Sequence, residues 1–163
     1  MILDKTFPPD PRVENEALTL VEAGHDLFLF CLTYSYEKTN ENYKGIQLCR
    51  YNSNKLIYKL SALAYEVPLY EMMMKPKIDD FIKTKSIDVL HIHDMRIAGS
   101  IFSVNKKYRL PIVLDLHDNF PEVMKDYPHL NKFPGKYLIS PKKWRLKEQE
   151  FIEKTFTEQK CFP

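Results

Sequence analysis

Apolar positions along this chain alternate between short continuous runs and stripes at helical spacing. Met1-Ile2-Leu3 reads as the end of a buried strand. Val13, Ala17, Leu20 and Val21 then recur on one side of a helix. Asp10 suits the N-cap, Pro11 the first helical position and Gly24 the stop. Residues 26–34 contain the run Leu27-Phe28-Leu29-Phe30-Cys31-Leu32, which predicts a second strand covered on both faces. Residues 35–44 are polar and tyrosine-bearing and read as a loop. Residues 45–51 alternate weakly and predict a short third strand near an edge. Residues 54–66 predict a helix with Leu56, Leu60 and Leu63 on one side. Residues 69–84 predict another, which Pro76 kinks or in which it marks the true start. Its Met72-Met73-Met74 run suits packing on a sheet better than a soft binding surface.

The second half repeats the alternation. Residues 87–93 form a fourth strand, and Asp94 is placed to cap a helix striped by Ile97, Ile101, Val104 and Tyr108. Pro111 opens a fifth strand over 112–117. Residues 127–136 read as a loop, and 141–156 as a long helix carrying Trp144, Leu146, Phe151 and Ile152. Strands alternating with helices predict an α/β, doubly wound, mostly parallel sheet of strand order about 3-2-1-4-5, with helices on both faces. That order puts a switch point between the first and fourth strands, where ligands of such sheets bind. Three polar clusters distant in sequence then meet at one rim: residues 7–12, His93-Asp94 and His117-Asp118.

Composition narrows the classes. The chain has 163 residues, 44% of them apolar, which suits one domain with a full core. A net charge of +2 implies no nucleic-acid partner. Four Gly are too few for a Gly-rich phosphate cradle, and no GxGxxG follows the first strand, which disfavours a nicotinamide-binding domain. No apolar run approaches the roughly 18 residues of a membrane span, and no signal peptide is visible. Cys31, Cys49 and Cys161 lack metal-type spacing, and Cys31 reads as a small core residue. The setting expected is reducing and cytoplasmic. Residues 136–160 carry seven Lys or Arg against four Glu, which suits a solvated helix face or a contact with anionic headgroups at the inner membrane face. The first strand is shorter than the about five or six residues usual in sheets, and no strand follows the last helix, so both ends read as cut.

His93 is the first candidate for chemistry. At the carboxyl end of a strand, an imidazole can bond a hydroxyl or oxyanion, or move a proton near neutral pH. Asp94 orients it or caps the helix. His91 shares its strand face but lies deeper and reads as structural. His117-Asp118 repeats the pattern one strand over. Arg12, in the first helical turn, adds to the attraction of a helix N-terminus for anions, or is a solvated surface residue. Glu16 faces a neighbouring helix or pairs with Arg12. Pro8 and Pro9 stiffen the loop that presents these groups. A metal hydrolase built on His91, His93 and His117 is disfavoured, because no carboxylate is spaced to complete a site.

Residues 7–26, running Phe-Pro-Pro-Asp-Pro-Arg-Val-Glu-Asn-Glu-Ala, then Leu, then Ala-Gly-His-Asp, resemble the amino-terminal domain of family 4 retaining glycosyltransferases. Ile-Asp-Val-Leu-His-Ile-His-Asp (87–94) and Leu-Asp-Leu-His-Asp-Asn-Phe-Pro-Glu (114–122) resemble that family's fourth and fifth strands, in the right order. The resemblance implies a GT-B enzyme of two Rossmann-like domains facing a cleft. The first domain holds the acceptor and the second the nucleotide sugar, with no metal and no cofactor. Residues 1–163 would be the first domain, truncated at both ends, with the nucleotide-sugar domain absent. By this resemblance His93 is catalytic, contacting the transferred sugar. Pro9, Asp10, Arg12, Asp94, His117 and Asp118 line the acceptor side. The acceptor implied is a sugar, a glycolipid or another small molecule, and transfer proceeds with retention. A nucleotide sugar is a partner only with the second domain, so the fragment alone is expected to be inactive. The competing expectation is a stand-alone α/β binding or regulatory module.

Overall fold

In a computed structural model of the chain, the residues described are 1–35, 39–116, 120–123, 126 and 138–159. The order of elements is β1 (Ile2–Leu3), α1 (Pro11–Glu22), β2 (Phe28–Thr33), β3 (Asn40–Tyr43), β4 (Ile46–Asn52), α2 (Lys55–Ser61), α3 (Leu69–Lys85), β5 (Leu90–His93), α4 (Met95–Tyr108), β6 (Ile112–Asp115), α5 (Phe120–Val123) and α6 (Pro141–Gln159). The sheet has six strands in the order β3-β4-β2-β1-β5-β6. All pairings are parallel except β3 with β4. The fold is therefore the Rossmann-like α/β sheet expected, in the strand order expected, with one addition.

The addition corrects the reading of residues 35–44 as loop. Asn40–Tyr43 forms an antiparallel edge strand on β4. The turn is two residues, Lys44 (φ 53°) and Gly45 (φ 89°), both left-handed, as a type I′ hairpin demands. No hydrophobic alternation announces this strand, because it is exposed along most of its length. It pushes β4 one place in from the edge.

Two clusters of side chains hold the layers. On one face, Val13 and Ala17 of α1 bury against Leu3, Leu29, Cys31 and Leu48. On the other, α2, α3, α4 and α6 cover Ile2, Phe30, Leu32 and Ile92. Trp144 and Phe151 of α6 are buried there, while Leu146 and Ile152 face outward. In α2 the buried residues are Ile57 and Ser61, and Leu56 is exposed, contrary to the expected stripe. The helix is only seven residues and starts at an Asn54 cap, which sets its face by one position. Pro76 lies inside a continuous α3 that begins at Leu69, so it does not mark the start.

α1 ends as expected. The chain turns at Gly24 (φ 89°), and the backbone N–H groups of Gly24 and His25 donate to the carbonyls of Val21 and Leu20. Cys31 and Cys49 are buried, and Cys161 lies outside the described residues. Among the described residues no helix is long and apolar enough to cross a membrane.

Candidate functional site at the carboxyl rim and beneath helix α1

The parallel strands β1, β5 and β6 end at one rim, and their register decides what meets there. Leu3 stands beside His93, and His93 beside Asp115. Side chains two apart on a strand share a face, so His91, His93, Val113 and Asp115 all point to the α1 side. α1 starts at this rim because Asp10 Oδ1 accepts from the N–H of Val13 at 3.2 Å, so Asp10 serves as its N-cap.

The cap aims Arg12 across the strand ends. Its guanidinium forms an ion pair with Asp115 and comes within 3.4 Å of His93 Nδ1. His93 Nδ1 lies 3.3 Å from the same Asp115 oxygen. A guanidinium only donates and a carboxylate only accepts. The consistent arrangement has Arg12 and the Nδ1–H of His93 both donating to Asp115, which leaves Nε2 of His93 as the lone pair. That nitrogen has no hydrogen-bond partner among the described residues, and the His93 side chain is 0% exposed. Burial, with His91 and the Arg12 charge adding, lowers the His93 pKa to about 4 against the opposing pull of Asp115. His93 is thus a neutral imidazole near pH 7.

The structure brings Asp10, Arg12 and His93 to one rim as expected. It places His93 beneath the surface, with Arg12 and Asp115 as its more exposed partners. Arg12 is not a solvated residue; its charge is matched by Asp115. Pro9 is exposed beside Asp10, in a loop whose Phe7–Pro8 and Pro8–Pro9 bonds are both cis. That loop is braced by Arg50, whose Nη2 donates to the Phe7 carbonyl at 3.4 Å while Nη1 meets Glu41 at 2.6 Å. Asp94 does not cap α4 with its side chain. Its backbone sits at φ 73°, where non-glycine residues are uncommon, and its carboxylate pairs with Lys5 at 2.8 Å. His117 and Asp118 lie outside the described residues.

Two groups escaped the sequence reading. Asp115 lies within the predicted fifth strand, and only the β5–β6 register brings it to His93. For Glu16 the sequence offers a neighbouring helix or Arg12 as partner, yet its carboxylate points at the two histidines. Glu16 Oε2 lies 3.8 Å from His91 Nε2 and 3.9 Å from His93 Nε2. The two imidazole rings are 4.3 Å apart. His91, expected to lie deeper than His93, is the more exposed of the two, because the sheet beyond α1 is open on this face. Burial lowers its pKa as well. A groove of about 1040 Å³ runs along this opening, with Glu16, His91, Leu27 and Val113 in its walls.

A second charged group sits on the opposite face of the same rim. Asp4, just past β1, is buried; Arg96 Nε reaches its Oδ2 at 3.3 Å and Nη2 its Oδ1 at 3.4 Å. The Tyr70 hydroxyl donates to Oδ2 at 3.2 Å. Burial raises the Asp4 pKa, against the pull of Arg96. The basic surface of α6 is largely matched: Lys143 meets Glu66, Arg145 meets Glu122, and Lys147 and Lys154 meet Glu150.

Comparison with known proteins gives one finding. The family model for Glycosyltransferase Family 4 matches residues 12–155. No curated protein and no solved structure matches the chain.

Proposed function

Because this chain belongs to glycosyltransferase family 4, we propose that it is the acceptor-side domain of a GT-B enzyme moving a sugar from a nucleotide sugar to a hydroxyl, with retention. The observation that carries the reading is the Arg12–Asp115–His93 assembly at the switch point of the sheet. Sugar hydroxyls are both donors and acceptors. A rim offering a guanidinium beside a carboxylate can bond vicinal hydroxyls in both senses. Arg12 and Asp115 are the groups that meet the acceptor. His93, buried under them, acts as a positioning residue that fixes Asp115. Asp10 orients Arg12 through the start of α1, and the Lys5–Asp94 pair flanks the opening.

Transfer needs both substrates held in reactive geometry. One sheet supplies one wall, so the 163-residue chain by itself is expected to bind acceptor without turnover. The nucleotide sugar belongs to a facing domain, and the chemistry calls for no cofactor. The reading is a cytoplasmic protein that meets the inner membrane face through a glycolipid acceptor rather than through α6, where Lys143, Arg145, Lys147 and Lys154 already face carboxylates.

Saturation-transfer NMR with a panel of free glycans, micellar glycolipids and nucleotide sugars tests this. The expected result is binding of at least one acceptor, weakened in Arg12→Ala and Asp115→Asn, with no nucleotide-sugar binding. Tight binding of a nucleotide sugar, or acceptor binding indifferent to both substitutions, overturns it.

A further inference from the structure

We propose that Glu16, His91 and His93 form a binding site for one divalent transition cation, zinc foremost, between α1 and β5. The inference does not rest on the transferase reading. The one carboxylate oxygen and two imidazole nitrogens lie within 4.8 Å of one another. Zinc bonds of about 2.0–2.2 Å to nitrogen and oxygen place tetrahedral ligands roughly 3.3 Å apart. The two carboxylate–imidazole separations, 3.8 and 3.9 Å, exceed that by about half an ångström, and the two imidazole nitrogens, within 4.8 Å of each other, close by at most about 1.5 Å. Glu16 is on the half-exposed side of a helix and His91 on an open strand face, so both can move that far.

A second observation points to a ligand. Nε2 of His93 is buried, without a hydrogen-bond partner among the described residues, and aimed at the other two groups. Its other ring nitrogen is within reach of Asp115. A carboxylate holding the far nitrogen of a histidine is the usual support for a metal ligand, since it fixes the tautomer and raises basicity. Two imidazoles and a carboxylate suit zinc and its neighbours rather than magnesium or calcium. Three protein ligands leave a fourth position, and the groove walled by Glu16 and His91 gives water a way to it. The cation would tie the middle of α1 to β5 directly below the rim.

The test is calorimetric titration of the untagged chain, stripped with chelator, using zinc alone, with cobalt absorption spectra as a second readout. The expected result is one equivalent bound and a cobalt spectrum of the intense four-coordinate type. Glu16→Gln and His91→Gln, both at partly exposed positions, should each weaken zinc by more than about 10-fold, and Asp115→Asn by about 10–100-fold. His25→Ala, at an exposed histidine outside the cluster, should change nothing. Zinc binding that is absent, that survives His91→Gln unchanged, or that is lost with His25→Ala overturns the proposal.

Discussion

Arg96→Met tests how the rim is held from its other face. The substitution keeps most of the side-chain volume and removes the fork that meets Asp4. Asp4 is 4% exposed, so its carboxylate would be left buried with the Tyr70 hydroxyl as its remaining close donor. Breaking a buried pair by removing one member costs about 3–5 kcal/mol. The retained Tyr70 bond and the nearby Lys5 charge argue for the lower end, about 3 kcal/mol. For a chain of this size that is a fall in Tm of roughly 6–12 °C. Urea unfolding followed by fluorescence of Trp144, the single Trp and fully buried, measures it directly.

The pH dependence has a definite sign. Burial raises the Asp4 pKa in the folded state above its ordinary value. A group that holds its proton more tightly when folded favours folding below its ordinary pKa and opposes it as pH rises past that value. Arg96 counters the rise, and Lys5 does so more weakly, while Asp94 adds to it. Removing Arg96 enlarges the rise. The deficit of Arg96→Met should thus be greatest near neutrality and shrink toward roughly pH 4. Asp4→Asn combined with Arg96→Met should recover most of the loss at pH 7, since no charge is left stranded. A deficit under about 1 kcal/mol, or one that is flat with pH, refutes the reasoning.

Three further outcomes follow from local structure. Asp10→Ala removes the side-chain cap of α1 and should cost about 1 kcal/mol in urea unfolding, with Asp10→Asn close to neutral. Gly24→Ala meets no atom within 4 Å but forces φ 89° on an L-residue; about 1 kcal/mol of lost stability is expected, and an unchanged Tm would contradict the left-handed turn. Phe151→Ala takes away a buried ring that stacks on Phe102 at 5.0 Å; a loss of about 3–5 kcal/mol is expected by the same unfolding assay.

The sheet order was legible because the strand segments at β2, β5 and β6 are separated by helical stripes, and parallel connection rules leave few topologies. The edge strand β3 was not, since Asn40, Glu41 and Asn42 bury nothing and the turn at Lys44-Gly45 acts through backbone angles. The site was half legible. Asp10, Arg12 and His93 announce themselves by their place at strand and helix ends. Asp115 gains its meaning from register across a strand pair, and Glu16 from how α1 docks on the sheet. Neither relation is written in local periodicity. Asp94 takes the N-cap position of α4 but makes no side-chain cap bond, for a related reason: Lys5, distant in sequence, claims the carboxylate that a local reading assigns to α4.

The polar hairpin strand has a consequence for how copies of this chain meet. A bare sheet margin is an invitation to add a strand from another molecule. Here the margin is only four residues long and presents Asn40, Glu41 and Asn42 to water. An arriving backbone would have to desolvate a carboxylate and two amides for little apolar gain. β3 therefore works as a fender, keeping concentrated solutions of the protein from zipping together along that side.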